Sequence, residues 1–295
     1  MSVIEINHIT KDYGEGRGVF DVSFGVWRGE VLGFLGPNGA GKTTTIRQLM
    51  GFMKPDSGSL TIGGRDCFEK ADEIQKYLGY LPGEIAFIDS MNGMEFIRFI
   101  AHMKKMKDLG RAPELMDMFD LNPSGKLKKM SKGMKQKIGI VCAFMQDPKL
   151  LILDEPTSGL DPLMQNKFVD LILREKKRGK TILMSSHSFE EVEKTCDRAA
   201  IIRGGKLAAV EKMEKLRTGR KKIVQMELET AAMAADMAAQ FSGAELQNRT
   251  VTVKVGKDVD LLIKKASQYK VLDMDIRTQS LEEFFMHFYG GEEDA

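Results

Sequence analysis

Three short segments of the chain carry residue types that suit phosphate chemistry. The first has the spacing GxxxxGK[ST] and follows an apolar run at 31–35. Its glycines let successive backbone N–H groups turn toward phosphate oxygens, where a β-carbon would clash. The helix that begins near Lys42 points its positive end at the same anion. The segment predicts a loop that holds a nucleoside triphosphate through Gly36, Pro37, Asn38, Gly39, Ala40, Gly41, Lys42, Thr43 and Thr44.

Within this loop, Lys42 supplies a point charge for the β- and γ-phosphates, and the Thr43 hydroxyl can ligate Mg²⁺. The second segment is Leu150-Leu151-Ile152-Leu153-Asp154-Glu155, a buried-strand pattern that ends in two carboxylates. We expect Asp154 beside Mg²⁺, through a water molecule, and Glu155 in position to act as general base on the attacking water. A solvated turn is the alternative interpretation for two acids at a strand end, and the phosphate loop upstream favours the catalytic one.

The third segment places His187 just after an apolar run at 181–184. A lone histidine is more often structural than catalytic. One at the carboxyl end of a parallel strand, however, lies in the crevice where ligands bind. We therefore predict that His187 senses the γ-phosphate by hydrogen bonding.

These three segments need a scaffold that brings strand ends together. Continuous apolar runs, typical of strands buried on both faces, occur at 31–35, 150–153, 181–184 and 199–202, with helical patterns between them. They predict an α/β domain with a largely parallel central sheet. Residues 3–9 and 19–27 alternate apolar and polar side chains, which predicts a half-buried antiparallel sheet beside it.

Two further regions have their own patterns. Phe96, Phe99, Ile100 and Met103 follow helical spacing, so we predict a mostly helical insert at about 84–146. After a basic stretch that begins at residue 217, strand and helix patterns alternate in the order β-α-β-β-α-β. Residues 217–295 are therefore predicted to form a small α+β accessory domain with the element order of a ferredoxin-like sandwich, and with Val259, Leu262, Ile263 and Ala266 on one face of a helix.

Composition limits the partners and the compartment. A net charge of +2 predicts no nucleic-acid partner from the overall balance. Three widely spaced cysteines fit neither a zinc site nor a disulfide framework, which favours a reducing, cytoplasmic location. The longest nearly apolar stretch, 138–145, is far shorter than the roughly 18 residues that a membrane span needs.

Residues 1–216 together resemble the ABC ATPase family. Met130-Ser131-Lys132-Gly133-Met134 is similar to its signature motif, Ser158-Gly159-Leu160-Asp161 to its D-loop, and Ser185-Ser186-His187 to its switch region. Tyr13 stands where the family places the aromatic ring that stacks on adenine; ring packing is the alternative. The resemblance implies ATP and Mg²⁺ as ligands, and a mixed-sheet core with a helical insert.

The resemblance also implies a second cassette. In the family the signature, here Ser131 and Gly133, closes over the ATP that the other subunit holds. Ser131 is a good helix N-cap, and its free N–H groups would form an anion site. Six lysines and no acids lie between residues 126 and 137. A solvated basic face or a nucleic-acid patch is the alternative for that run, and the neighbouring signature favours phosphate attraction. One copy of each motif predicts a dimer, most simply of identical chains.

The sequence departs from the family pattern near residue 83. Gly83-Glu84 stands where the family has a glutamine, so either Glu84 substitutes for it or that contact is missing. Lys132 and Met134 replace a glycine and a glutamine of the signature, while Ser131 and Gly133 remain.

Two functions fit the resemblance. The first is the ATP-hydrolysing subunit of an exporter, peripheral on the inner face of the cell membrane, that drives a separately encoded permease docked near the helical insert. The alternative is a soluble ABC ATPase that acts on ribosomes, DNA or protein. Soluble relatives usually carry two cassettes or a long coiled coil, and this chain has one cassette and a short insert. The sequence favours transport.

Overall fold

The computed structural model describes residues 2–256 and 259–289. The chain divides between Met213 and Glu214 into two compact units. No helix within the described residues combines the length and the apolar character that a bilayer span requires. Each unit has its own hydrophobic core.

The first unit contains an antiparallel sheet, a mostly parallel sheet and a helical insert. Its strands are β1 Ser2–Asp12, β2 Gly18–Trp27, β3 Val31–Leu35, β4 Ser57–Ile62, β5 Arg65–Asp66, β6 Leu78–Leu81, β7 Leu150–Leu153, β8 Thr181–Ser186, β9 Arg198–Arg203 and β10 Lys206–Lys212. Its helices are α1 Lys42–Leu49, α2 Ala71–Gln75, α3 Gly93–Met103, α4 Ala112–Met118, α5 Lys132–Phe144, α6 Pro162–Lys177 and α7 Phe189–Thr195, with a short 3₁₀ turn at Leu127–Lys129. Helix α8, Met213–Thr218, begins at the division.

The antiparallel sheet has the strand order β2-β1-β4-β5. Ile4, Ile6 and Ile9 of β1 are buried, while the residues between them are partly or fully exposed. Alternation of this kind buries one face of a strand and leaves the other in water. The half-buried antiparallel sheet predicted from residues 3–9 and 19–27 is confirmed.

The larger sheet has the order β10-β9-β3-β8-β7-β6, and its described neighbours are parallel except for β9 and β10. Every residue of β3, β7 and β8 is buried, as expected for strands covered on both faces. The register pairs Leu35 with Ser186 and Leu153 with Met184. The carboxyl ends of β3, β8 and β7 therefore lie side by side, which confirms the predicted α/β core.

The helical insert contains α3, α4 and α5. Helix α3 begins with a capping box, in which Asn92 and Glu95 each bond the other's backbone N–H. The helix predicted from the spacing of Phe96, Phe99, Ile100 and Met103 is confirmed, although Phe99 is 36% and Met103 is 64% exposed. The buried face of α3 is instead formed by Phe96, Ile97 and Ala101. Helical periodicity identified the helix, but the neighbouring α5 decides which flank of the apolar stripe is covered.

A buried ion-pair cluster joins the insert to helix α6. Glu175 is fully buried, and its carboxylate lies 2.6 Å from Lys180 Nζ, 2.8 Å from Arg111 Nη1 and 2.9 Å from Arg178 Nη1. Burial alone would raise the pKa of Glu175, but hydrogen bonds from Lys180 and Arg111 outweigh it and hold the pKa below its usual value. Arg111 directly precedes α4, so this cluster fixes one end of the insert.

The second unit contains a four-stranded antiparallel sheet. Its elements are β11 Lys222–Leu228, α9 Ala231–Ala239, β12 Glu245–Gln247, β13 Thr250–Val255, α10 Val259–Ala266, β14 Val271–Thr278 and α11 Leu281–Tyr289. The strand order is β12-β13-β11-β14. Element by element this is the β-α-β-β-α-β order that the sequence predicts, and the ferredoxin-like assignment, which rests on that order, stays a prediction.

The core of this unit packs strand side chains such as Val224, Met226 and Val251 against Ala234 and Met237 of α9. On α10 the predicted apolar face is only partly right. Leu262 and Ala266 are buried, whereas Ile263 is 57% exposed.

Candidate nucleotide-binding site

The glycine-rich loop leaves the carboxyl end of β3 and leads directly into α1. Gly39 and Gly41 have φ angles of 79° and 108°, which residues with a side chain rarely adopt. A β-carbon on Gly36 would lie 2.3 Å from the carbonyl oxygen of Ile202, and one on Gly41 would lie 2.5 Å from Val19 Cγ1. Only glycine fits at these positions, so the backbone can form a concave anion site.

Lys42 is 4% exposed and has three oxygen neighbours. Its ammonium donates to the carbonyl oxygens of Gly36 (2.7 Å) and Pro37 (3.0 Å), and it lies 3.3 Å from Glu155 Oε1. The structure thus brings the predicted phosphate-binding cation and the predicted general base into one ion pair.

Asp154 is fully buried at the end of β7. Its Oδ1 accepts a hydrogen bond of 2.6 Å from Ser185, and the Thr43 hydroxyl also bonds the carboxylate. Burial raises the pKa of Asp154, while these two hydrogen bonds oppose the rise. Its Oδ2 is buried without a hydrogen-bond partner among the described residues.

This arrangement suits Mg²⁺. The Thr43 hydroxyl and an unpartnered Asp154 oxygen are hard oxygen donors, which Mg²⁺ prefers. The described residues hold no cluster of three or more His, Cys, Asp or Glu, so further ligands would come from substrate phosphates and water. Gly83 lies beside this oxygen, because a β-carbon there would be 3.2 Å from Asp154 Oδ2.

Glu155 follows in an uncommon backbone conformation, with φ 46°. Its N–H donates to Ser185 Oγ (2.9 Å), and its Oε2 lies 3.6 Å from His187 Nδ1. The His187 side chain is 56% exposed. Glu155 therefore lies between Lys42 and His187, at the rim of the sheet.

A cleft of about 790 Å³ opens in front of these groups. Besides the loop and the two carboxylates, Tyr13, Thr44 and Glu84 line it. Tyr13 is half exposed, and its hydroxyl donates to Met53 Sδ (3.2 Å). Its ring is thus available at the edge of the cleft, where the resemblance places the adenine.

The signature segment reaches this cleft through Lys132, the first residue of α5. Ser131 is the N-cap of α5 and accepts a hydrogen bond from the Met134 N–H (3.2 Å). Gly133 packs against the D-loop, since a β-carbon on it would lie 2.7 Å from the Gly159 carbonyl oxygen. Neither Ser131 nor Gly133 lines the cleft of its own chain.

Two residues outside the predicted set hold the site together. Ser185 bonds both Asp154 and the Glu155 N–H, and Gln136 Nε2 donates to the Pro156 carbonyl oxygen (2.8 Å). Ser185 could have been found from its position at the carboxyl end of β8. Gln136, which lies on the distant helix α5, has no comparable signal in the sequence.

A glycine cradle after one parallel strand, with an acidic pair two strands away, defines a P-loop nucleoside triphosphatase. Comparison with known proteins narrows this class. A family model described as ABC transporter matches residues 19–158. The ABC transporter ATP-binding protein YhcH of Bacillus subtilis (strain 168), described as uncharacterized, is 31% identical over 98% of this chain and 96% of its own length.

The bacitracin transport ATP-binding protein BcrA of Bacillus licheniformis is 32% identical over 98% of both chains. A solved ATP-binding subunit of an ABC transporter superposes with a TM-score of 0.67 at 32% identity, covering 73% of this chain and 92% of that structure. The dimeric bacterial cassette MJ0796 shares the fold, with a TM-score of 0.64 at 22% identity over 71% of this chain and 98% of its own. The chain belongs to the ABC transporter ATP-binding protein family, and it is an ATP-binding ATPase.

Proposed function

We propose that this chain powers export through a membrane permease encoded on a separate chain. In this proposal two cassettes each bind MgATP, close on one another, move the permease, hydrolyse ATP and reopen. The observation that carries the proposal is the division of the phosphate-binding groups. Lys42, Asp154 and Glu155 meet in one cleft, to which the signature segment contributes Lys132, whereas Ser131 and Gly133 do not line it.

The cleft residues each have a role in the proposal, together with His187, which lies beside Glu155 without lining the cleft. The loop from Gly36 to Thr44 and Lys42 bind the phosphates, and Tyr13 stacks on the adenine. Thr43 and Asp154 hold Mg²⁺, which when bound neutralises charge on the phosphate oxygens. Glu155 accepts the proton of the attacking water, and His187 hydrogen-bonds the γ-phosphate.

The second cassette supplies the missing anion site. Ser131 caps α5 by accepting the Met134 N–H, and the positive end of the helix dipole lies at the same turn. Since Ser131 and Gly133 are outside the cleft of their own chain, they are available for the triphosphate of a neighbouring copy. The cassette dimer formed by MJ0796, a structure of the same fold, supports this arrangement.

The permease partner is supported by surface and by relationship. BcrA, which is similar over nearly its whole length, carries the name of a bacitracin transport protein. Phe52, Phe99 and Met103 are 57%, 36% and 64% exposed, and Phe52 packs edge-on against Tyr80 of β6. We propose that the permease docks on the exposed Phe99 and Met103 of α3, which places the chain on the cytoplasmic face of the membrane. No nucleic acid takes part.

The test is Glu155→Gln in the full chain. Removing the general base should reduce phosphate release at least about 100-fold, because acid–base catalysis contributes roughly 10²- to 10⁴-fold. ATP binding should persist, so a long-lived dimer should accumulate in MgATP. Phosphate release and light scattering measure the two effects.

Lys42→Ala is the companion variant and should lose ATP binding altogether. Lys54→Ala, whose ammonium is exposed beside Glu69, is the matched control and should behave as the wild type. Hydrolysis by Glu155→Gln at the normal rate would overturn the assignment of the base. Co-purification of an integral membrane protein from native membranes tests the permease, and co-sedimentation with ribosomes would favour the non-transport alternative.

A further inference from the structure

A buried carboxyl group lies directly behind the switch segment. Glu191, on α7, is 8% exposed, and its Oε2 accepts a hydrogen bond of 2.5 Å from the Ser186 hydroxyl. Ser186 itself is 2% exposed. Burial of a carboxyl group is costly unless the group is hydrogen-bonded, and an apolar side chain would fill the same space at lower cost. The pair therefore calls for an explanation beyond packing.

Hydrogen bonds connect this pair into a ring around His187. The Ser188 N–H donates to Ser186 Oγ (2.9 Å), and the Glu191 N–H donates back to Ser188 Oγ (3.3 Å). Ser186 and Ser188 are the two sequence neighbours of His187. The ring thus fixes the backbone on both sides of His187 while leaving its imidazole free to face Glu155.

The two serines at the end of β8 serve opposite sides. Side chains of successive strand residues point to opposite faces. Ser185 bonds Asp154 and the Glu155 N–H on the catalytic side, and Ser186 bonds Glu191 on the other. A rotation of the strand end that released Ser186 would also displace Ser185 and His187 from the acidic pair.

We propose that Glu191 is a positioning residue for ATP hydrolysis, which acts through Ser186 to set the orientation of Ser185 and His187 toward Glu155. The proposal rests on the roles assigned above to Glu155 and His187. Glu191 does not line the nucleotide cleft, so it influences the turnover of bound ATP rather than its binding.

The experiment measures kcat and KM for ATP in the full chain. Glu191→Ala should lower kcat roughly 10- to 100-fold, because small misplacements of catalytic groups have effects of that size. KM should change less than about threefold, since the phosphate loop is untouched. Ser186→Ala should reproduce the loss, and the double variant should be no slower than the slower single variant, because both remove one interaction.

Glu191→Gln tests whether the role is positional. Its amide oxygen can still accept the Ser186 hydrogen bond, so kcat should stay within about threefold of the wild type. Glu190→Ala is the matched control. Its carboxylate is exposed and forms an ion pair with Lys194. This variant should leave both constants unchanged.

The proposal is overturned if Glu191→Ala keeps kcat within about twofold of the wild type, or if Glu191→Gln is as slow as Glu191→Ala. Losses that multiply in the double variant would also overturn it, because the two residues would then act separately. A wild-type chain that retains ATP but releases no phosphate would instead count against the proposed function.

Discussion

Single residues of this site are held in conformations that they would not adopt alone. Glu155 has φ 46°, a left-handed backbone that a glutamate adopts at some cost in free energy. Ser185 bonds its N–H, and Gln136 bonds the neighbouring Pro156 carbonyl. Because the surroundings fix its backbone on both sides, the Glu155 carboxylate is directed at Lys42 and His187 rather than into solvent.

Glu191 predicts how the stability of the fold depends on pH. Burial raises the pKa of Glu191 to about 7 from 4.5; hydrogen bonds from Ser186 and Thr157 oppose the rise, and the charge of Glu155 adds to it. A raised carboxyl pKa means that folding favours the neutral form. The stabilisation is therefore complete below pH 4.5 and is lost as the pH rises through about 7.

Glu191→Gln removes this dependence. Between pH 5 and pH 8, the free energy of unfolding of the variant should rise relative to the wild type by about 2 kcal/mol. Urea unfolding followed by the fluorescence of Trp27, the single tryptophan, reports on the first unit. Glu190→Gln should show no such divergence, since Lys194 lowers the pKa of Glu190 and it stays ionised throughout this range. Parallel curves for Glu191→Gln and the wild type would contradict the prediction.

At the scale of elements, the site is made by strand ends and by one anchored insert. Strands β3, β8 and β7 deliver the loop, the switch segment and the acidic pair to one edge of the sheet. The insert carries the signature helix, and the Arg111–Glu175 contact ties it to α6. The position of the signature therefore depends on a charged cluster remote from the nucleotide cleft.

Removing Glu175 should be severely destabilising. Glu175→Ala would remove the fully buried partner of Arg111 and Lys180 and leave them only the more exposed Asp147, and breaking a buried pair in this way costs about 3–5 kcal/mol. We expect a fall in Tm of roughly 6–12 °C, measured by calorimetry. Asp170→Ala, which removes an exposed carboxylate from the same helix, should change Tm by less than about 1 °C. A loss in Glu175→Ala as small as in this control would show that the cluster contributes little.

The sequence predicted which segments form strands and helices better than it predicted which of their side chains are buried. Strands β3, β7 and β8 were predictable because burial on both faces demands a continuous apolar run, and the phosphate loop because its backbone demands glycine. The exposure of Phe99 and Met103 could not be predicted, because a helical period does not state how much of an apolar stripe is covered. Ser185 was singled out only as part of the switch-region resemblance and Glu191 not at all, because a serine or a glutamate has no distinctive pattern until the fold buries it.

At the scale of the whole molecule, the two units have separate cores. The lining residues of the nucleotide cleft belong to the first unit, and none of them comes from the described residues of the second. We find no catalytic arrangement in the described part of the second unit, and we propose that it serves regulation or subunit pairing. The family resemblance of residues 1–216 and the relatives that extend to nearly the full length are both consistent with an accessory domain.

Deletion of the second unit tests this division. A chain that ends at Thr218, which keeps α8 whole, should bind ATP within about threefold of the full-length affinity, because every residue of the cleft remains. Fluorescent nucleotide titration measures the affinity, and circular dichroism reports whether the shortened chain is folded. Unfolding of the shortened chain would contradict the proposal that the cassette is an independent domain.

The ion pair between Lys42 and Glu155 links ATP binding to the start of hydrolysis. A phosphate that takes Lys42 as its counter-ion must compete with the carboxylate that already neutralises it. When Lys42 binds the phosphate of ATP, it gives up its contact with Glu155, so ATP binding and the freeing of the general base occur in the same step. This coupling requires no domain movement, because it depends only on the two side chains of the ion pair.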